Sequence, residues 1–342
     1  MQAHDGSQVE TVRVTSPTEN LDPARREMTH PSELWRGYWG IQVLHAGQSM
    51  GLFQALSQPK SVESLAQQLQ LEPRYLQLWC EAAESYGLLE RRDNRYVTPD
   101  SCSEWLHRSG GFTQSHLHLS RRMTETMQAV FGGRALPEPP ISLRLLLQES
   151  LQANYEWLFR EAVQAWPPVE KILTGDHRVL EVGCGVGYGL SHLRTFHPNL
   201  ELVGLEVDYE CAQEAERATK AVIHISESPG NRFGRPFDLI LCFRSLSAAA
   251  QPEKLLKDCV ETLAHGGVFI LGSEVTDIDE RRKSGPRLQG EKLAYNILAG
   301  EALVNEYSRE ELKTLLSDSG FELKKEVDAP DWATPLFICE RK

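Results

Sequence analysis

The stretch VLEVGCGVGYGLSHL, Val179 to Leu193, joins an apolar run to a helical pattern through glycines at 183, 185, 187 and 189. An acidic residue, Glu181, stands two positions before the first of them. A turn this bare lets the backbone approach a ligand closely. Three ligand classes use such strand-to-helix turns. The phosphate loop of nucleotide hydrolases requires GxxxxGK[ST], and no Lys-Ser or Lys-Thr follows these glycines. The dinucleotide fingerprint GxGxxG would put its third glycine on Tyr188 if started at Gly183, and on Leu190 if started at Gly185. What remains is acidic-x-Gly-x-Gly-x-Gly. Its carboxylate repels a diphosphate and favours a ligand that carries an ammonium and a sulfonium.

Outward from this loop the chain alternates strand and helix signals. RVLEVG and GLSHLRTFHP are followed by LELVGLEVD and YECAQEAERAT, then AVIHIS, FDLILCF, PEKLLKDCVETLA and GGVFILGSE. Apolar, β-branched runs separated by amphipathic helices indicate a parallel sheet covered on both faces. The end, SREELKTLLSDSGFELKKEVDAPDWATPLFICERK, gives a helix and two strands close enough to pair antiparallel at the sheet edge. The expected architecture is α/β, a Rossmann-like doubly wound sheet over residues 171–342, with its ligand at the carboxyl ends of the strands.

The 342 residues favour more than one domain. A composition of 41% hydrophobic and 25% charged residues suits a soluble globular protein with a sizeable core. The net charge of −12 argues against nucleic-acid and anionic membrane partners, whose binding rests on clustered Lys and Arg. Seven cysteines, an odd set without CxxC or finger spacing, point to a reducing, cytoplasmic compartment. No stretch has the layout of a secretory signal or the length of a membrane span.

Residues 1–30 are polar with prolines at 17 and 23, and an arm or disorder is expected there. From Ser32, taken as a helix cap, SELWRGYWGIQVLHAGQSMGLFQALSQ carries apolar residues at helical spacing, with breaks expected near Gly47 and Gly51. A capped helix from Ser61, a turn at LEP, a second helix and a hairpin turning at Asp93-Asn94 make residues 31–105 a winged-helix pattern, mainly helical. A DNA reader needs basic and polar residues on the second helix. Here that helix carries Glu72, Glu81 and Glu84 against Arg74, so a structural or dimerising module is the better reading. Residues 106–170 form a helical connector.

VLEVGCGVG resembles the first motif of class I S-adenosylmethionine-dependent methyltransferases. LVGLEVD is similar to the second motif, where an acid at the end of the second strand grips the ribose hydroxyls; the matching residue is Glu206. FDLILCF resembles the fourth strand, LAHGGVFILGSE the turn into the fifth, and YSREELKTLLSDSGFE the late helix. The likeness spans roughly residues 35–342 and is to dimeric, two-domain small-molecule O-methyltransferases of natural-product pathways. It implies S-adenosylmethionine as cofactor, a small organic acceptor with aromatic compounds among the candidates, and a homodimer. It places Glu181, Gly183, Cys184, Gly185, Gly187, Glu206, Val207, Glu227 and Phe243 at the cofactor site. Glu227 stands where the family has an acid for the adenine amino group, and a solvated loop acid is the alternative. Asp208 is expected to cap a helix.

Methylating a hydroxyl calls for a general base, and histidine's pKa suits it. The family keeps a histidine just after the fourth strand. This chain reads FRSLSAAAQPEKLL there, with Ser247 at the matching position. His116 and His118 on the connector are the best substitutes, although i and i+2 on a helix face different ways. Otherwise the acceptor needs no base, which opens N-, S- or C-methylation, or the site is catalytically silent; a winged-helix regulator is the rival from another class. Arg244 is a candidate for orienting an acidic acceptor, and Glu274 and Asp277 are further candidates for base or orienting group. No spacing forms a convincing metal site. The acceptor pocket is expected between the domains, with Trp105, Phe112, Met123, Met127, Phe131, Tyr155, Trp157, Phe159 and Tyr295 as lining candidates and core or dimer packing as their alternative.

Overall fold

The computed structural model describes residues 31–109, 113, 117, 120, 128, 140–149, 151–273, 275, 307–328 and 334–342. Contacts divide the chain into two compact units between Cys102 and Ser103.

The first unit begins with α1 (Pro31–Ser49), α2 (Leu52–Ala55), α3 (Val62–Leu69) and α4 (Pro73–Ser85), followed by the strands β1 (Glu90–Arg92) and β2 (Arg95–Val97). α1 starts at Pro31, so Ser32 lies inside the helix rather than capping it, and proline's fixed φ suits a first helical position. The helix also runs through Gly47, where a Cβ would lie 2.5 Å from Trp79 Cζ2 and nearer still to the edge of the Phe53 ring. Gly47 is there for close packing, and the break falls at Gly51, with φ 67°. Ser61 caps α3 by accepting from the Ser64 amide. β1 and β2 pair antiparallel around a turn in which Asp93 takes φ 56°. Two of the three arginines of this hairpin are held by carboxylates, Arg91 by Glu84 at 3.3 Å and Arg92 by Glu90 at 2.9 Å.

The helices α5 (Asp100–Ser109), α6 (Ile141–Glu149), α7 (Gln152–Ala165) and α8 (Pro167–Thr174) precede the sheet. The sheet strands are β3 (Arg178–Val182), β4 (Glu201–Glu206), β5 (Val222–Ile225), β6 (Phe237–Phe243), β7 (Leu263–Gly272), β8 (Phe321–Val327) and β9 (Leu336–Arg341). Between them run α9 (Tyr188–Phe196), α10 (Tyr209–Thr219), α11 (Pro252–Thr262) and α12 (Arg309–Ser319). The order is β5-β4-β3-β6-β7-β9-β8. β9 pairs antiparallel with both β7 and β8, and the other pairs are parallel. The final two strands pair as expected, with the later one inserted beside β7.

Because alternate strand residues face opposite sides, the sheet has two cores. Val179, Leu239, Ile270 and Ile338 face one, which α7, α8 and α9 cover. Leu180, Ile240, Leu271 and Phe337 face the other, covered by α11 and α12. On α7, Tyr155, Leu158, Phe159 and Ala162 recur at spacings of three and four and form the buried stripe. Among the described residues no helix is long and apolar enough to cross a membrane.

Candidate functional site

The order of strands reverses direction between β3 and β6, the place where a doubly wound sheet opens a crevice at its carboxyl edge. The glycine loop leaves β3 there. Gly183, Gly185 and Gly187 take φ of 68°, 54° and 83°, a region that residues with a side chain seldom enter. A Cβ on Gly183 would lie 2.6 Å from the Ser245 Cβ, and one on Gly185 would lie 2.7 Å from the Gln148 Cδ. Gly187 packs on α10, 3.0 Å from Ala215 by the same measure. Cys184 donates its amide to the Leu205 carbonyl at 2.9 Å. Its thiol is fully buried toward Gly204, and burial pushes its pKa upward, so it is an inert core group. Its side chain is therefore closed to a ligand, and its carbonyl accepts from the Gly187 amide at 2.9 Å, which tightens the turn.

Glu206, at the end of β4, is wired to this loop. One oxygen accepts from the Gly185 amide at 2.7 Å, and the other from the amides of Val207 at 2.8 Å and Asp208 at 3.0 Å. A carboxylate has about four acceptor positions, so a place on the Gly185-bound oxygen is left for a ligand hydroxyl. Val207 beside it is 63% exposed, an apolar surface at the crevice edge. Asp208 caps α10 through the Cys211 amide at 2.8 Å and is gripped by Arg144 at 2.6 Å. Arg144 also holds Glu210, so α6 is tied to the start of α10. Glu227, just past β5, accepts from the Ala250 amide at 2.6 Å and thereby links the loops after β5 and β6.

Glu181 lies deeper. It has the strand parity of Val179, so its carboxyl points into the core that α7 covers and is 1% exposed. The Tyr155 hydroxyl donates to its Oε1 at 3.1 Å, and Oε2 has no hydrogen-bond partner. Burial pushes the carboxyl up to about 8; the Tyr155 hydrogen bond and the Leu190 amide act against this, and the charge of Glu206 adds to it. The Tyr155 ring is walled by Phe243 at 5.2 Å, Tyr188 at 5.8 Å and Phe159 at 6.5 Å. A Cβ on Gly189 would lie 2.6 Å from that ring and 2.8 Å from Glu181 Oε2.

After β6, Arg244 takes φ 58° while its amide donates to the Gly272 carbonyl at 2.7 Å. A non-glycine residue held in this region is strained, and strain of this kind gathers at ligand sites. The Ser245 hydroxyl lies 3.0 Å from the Val182 carbonyl and 3.1 Å from that of Phe243, closing β3 to β6 beneath the loop. Ser247 is half-buried in a short 3-10 turn, Leu246–Ala248.

Glu181, Gly183, Cys184, Gly185, Gly187, Glu206, Val207, Glu227 and Phe243 therefore meet at one edge of the sheet. The roles of Gly189, Ser245 and Tyr155 were not legible: a helix glycine, a serine and an aromatic on an amphipathic helix look like ordinary packing. Among the pocket candidates, Tyr155, Trp157 and Phe159 are core residues, and Trp105 is 46% exposed on α5. His116, His118, Glu274 and Asp277, with Phe112, Met123, Met127, Phe131 and Tyr295, lie outside the described residues. Among the described residues no group of three or more His, Cys, Asp or Glu side chains is placed to hold a metal ion.

A family model described as a methyltransferase domain matches residues 144–326. The 3-hydroxy-5-methyl-1-naphthoate 3-O-methyltransferase of Streptomyces sahachiroi is 26% identical over 311 residues, covering 84% of this chain and 88% of that protein. Among solved structures, a candidate O-methyltransferase from Nostoc punctiforme PCC 73102 aligns with TM-score 0.65 at 17% identity, over 91% of this chain and 99% of that one. Human N-acetylserotonin methyltransferase in complex with SAM aligns with TM-score 0.60 at 18% identity, over 94% and 99%. At these identities the two structures speak for the fold.

Proposed function

This chain belongs to the methyltransferase-domain family, and we propose that it transfers a methyl group from S-adenosylmethionine to a hydroxyl of a small organic molecule. One observation carries the reading: the Glu206 carboxylate and the Gly185 amide, 2.7 Å apart, join a bare glycine loop to an acid at the end of the neighbouring strand. That pair suits a nucleoside linked to an amino acid. The residues present fit the cofactor. Glu206 would accept from a ribose hydroxyl at the place left on its Gly185-bound oxygen, the exposed Val207 would cover a face of the base, and Glu227 would meet its amino group. The backbone of residues 183–187 and the first turn of α9 would carry the methionine part.

The cofactor brings a methyl group already activated by a sulfonium, so binding, alignment and exclusion of water fall to the chain. Gly183, Gly185 and Gly187 set how closely the loop approaches. Phe243 and the strained Arg244 form the rim after β6, where the acceptor would be lined up. A proton leaving the acceptor would go to His116 or His118, since Ser247 is a poor base near neutral pH. The naphthoate methyltransferase relative supports an aromatic hydroxyl as the acceptor class. The exposed Leu34, Trp35, Tyr38, Trp39 and Ile41 of α1 support a homodimer formed through this helix, because a soluble surface seldom leaves so many large apolar groups together. Seven free thiols support a reducing, cytoplasmic location.

Calorimetric titration with S-adenosylhomocysteine is the test. Micromolar binding, weakened about a hundredfold or more in Glu206→Ala, is expected, because the variant loses the ribose acceptor and unties the loop. Folded protein that binds neither this product nor S-adenosylmethionine overturns the reading. Mass analysis after incubation with hydroxylated aromatic acids then tests the acceptor class.

A further inference from the structure

Glu181 is a carboxyl group set in an apolar core, and such a group is costly unless its oxygens are occupied. One of them is occupied by Tyr155 and the other is not. We propose that Tyr155 is a positioning residue: it fixes one oxygen of Glu181 and so holds the other open for the amino group of the cofactor's methionine part. The proposal rests on the cofactor assignment above and adds a residue of α7 to that site.

Several features of the chain converge on this pair. Strand parity alone turns Glu181 toward α7 rather than toward the opposite core, because Val179 and Glu181 share a face. The stripe of α7 brings Tyr155 there, and its ring is clamped by Phe159, Tyr188 and Phe243, so the hydroxyl has little freedom to swing away. The absent side chain of Gly189 leaves the space that the ring and the carboxyl fill together. The open oxygen lies against the first turn of α9, at the end of the glycine loop. A carboxyl placed for core stability alone would have a close partner on each oxygen; here Oε2 has no hydrogen-bond partner and only the Leu190 amide joins Tyr155 in favouring the charge, next to the loop assigned to the amino-acid part of the ligand.

The surroundings add a proton to the account. Among the described residues, Tyr155 on α7, the Leu190 amide on α9, Glu206 on β4, Cys184 in the loop and Cys242 on β6 are the polar and titratable groups that interact with Glu181, with Arg244 acting on Tyr155. Among them only Tyr155 and Leu190 favour the anion, which leaves the carboxyl protonated at neutral pH, with its pKa near 8. An ammonium placed against the open oxygen favours the anion, so the proton of Glu181 goes to solvent as the ligand binds. The amino group keeps its own protons.

Two ligands separate this role from a packing role. S-Adenosylhomocysteine carries the amino-acid part, and 5′-methylthioadenosine keeps the nucleoside and sulfur without it. Tyr155→Phe keeps the ring and removes the hydroxyl. It is expected to weaken S-adenosylhomocysteine about tenfold or more and to leave methylthioadenosine within about twofold. Glu181→Gln is expected to show the same selectivity, and the double variant to lose little beyond either single one. Titrations near pH 7 in buffers of differing ionisation enthalpy should show release of a proton with S-adenosylhomocysteine, none with methylthioadenosine, and none in Glu181→Gln. Equal weakening of both ligands in Tyr155→Phe would make Tyr155 a general packing residue and overturn the proposal, as would no weakening of either. If the unaltered protein binds neither ligand, the cofactor assignment itself falls, an outcome distinct from the other two.

Discussion

Replacing Gly189 by alanine tests the geometry beneath the loop. In an ordinary helix this change stabilises by up to about 1 kcal/mol, since glycine is the poorer helix former. Gly189 is the second residue of α9, yet a Cβ there would lie 2.6 Å from Tyr155 Cε1 and 2.8 Å from Glu181 Oε2, and nearer still to Oε1. Neither neighbour has room to retreat, because Tyr155 is 2% and Glu181 1% exposed. Overfilling a packed core costs about 1–3 kcal/mol, and parting Tyr155 from Glu181 adds about 1 kcal/mol. Set against the helix gain, Gly189→Ala should destabilise this unit by about 1–3 kcal/mol. Gly234→Ala is the control, as nothing lies within 4 Å of the added Cβ; it should be neutral or slightly stabilising. Hydrogen exchange of the β3 and α9 amides in increasing urea reads the unit separately from the rest of the chain. Protection in Gly189→Ala equal to or above that of the unaltered protein would refute the packing of Tyr155, Glu181 and Gly189.

Two further outcomes follow from charges. Burial pushes Glu181 up to about 8 in the folded chain, against the ordinary carboxylate range when unfolded, so between about pH 4.5 and 8 the folded state holds the extra proton and stability falls as pH rises, by about 1.4 kcal/mol per unit at most. Burial lowers the pKa of His192, His197 and His224 and gives the opposite trend up to their unfolded value, so the measured quantity is the difference in urea midpoint between Glu181→Gln and the unaltered protein, which should grow across pH 5.5 to 7.5; a flat difference contradicts the burial of Glu181. In the first unit, Arg91 and Arg92 are already paired with Glu84 and Glu90, so duplex DNA should show no mobility shift at about 150 mM salt; a salt-sensitive shift there would restore a nucleic-acid role for the hairpin.

The sheet was legible because its signals are local. Each buried strand is a short apolar run, each covering helix a periodic one, and a parallel sheet follows from their alternation. Helix ends were less legible where packing overrode propensity. Gly47 reads as a break, yet α1 continues through it because Phe53 and Trp79 need its missing side chain. The geometry of the glycine loop was legible for the same local reason: Glu206 and the glycines lie at strand ends, where type and spacing pick them out.

Glu181 shows where local reading stops. Its type and position in the motif name an acid near a cation, and that description would suit an exposed carboxylate as well as a buried one. What makes it a buried group with a raised pKa is a face shared with Val179 and a helix laid over that face, and the same helix delivers the hydroxyl that acts against the rise. The parity is in the sequence; the partner is not, because Tyr155 is separated from Glu181 by 26 positions and stands in an amphipathic stripe indistinguishable from its neighbours. Long-range pairing of this kind leaves a trace only in a small residue that makes room for it. Gly189 is that trace, a fourth glycine that the cofactor motif does not require, and it has a purpose only once Tyr155 and Glu181 are seen to meet behind it.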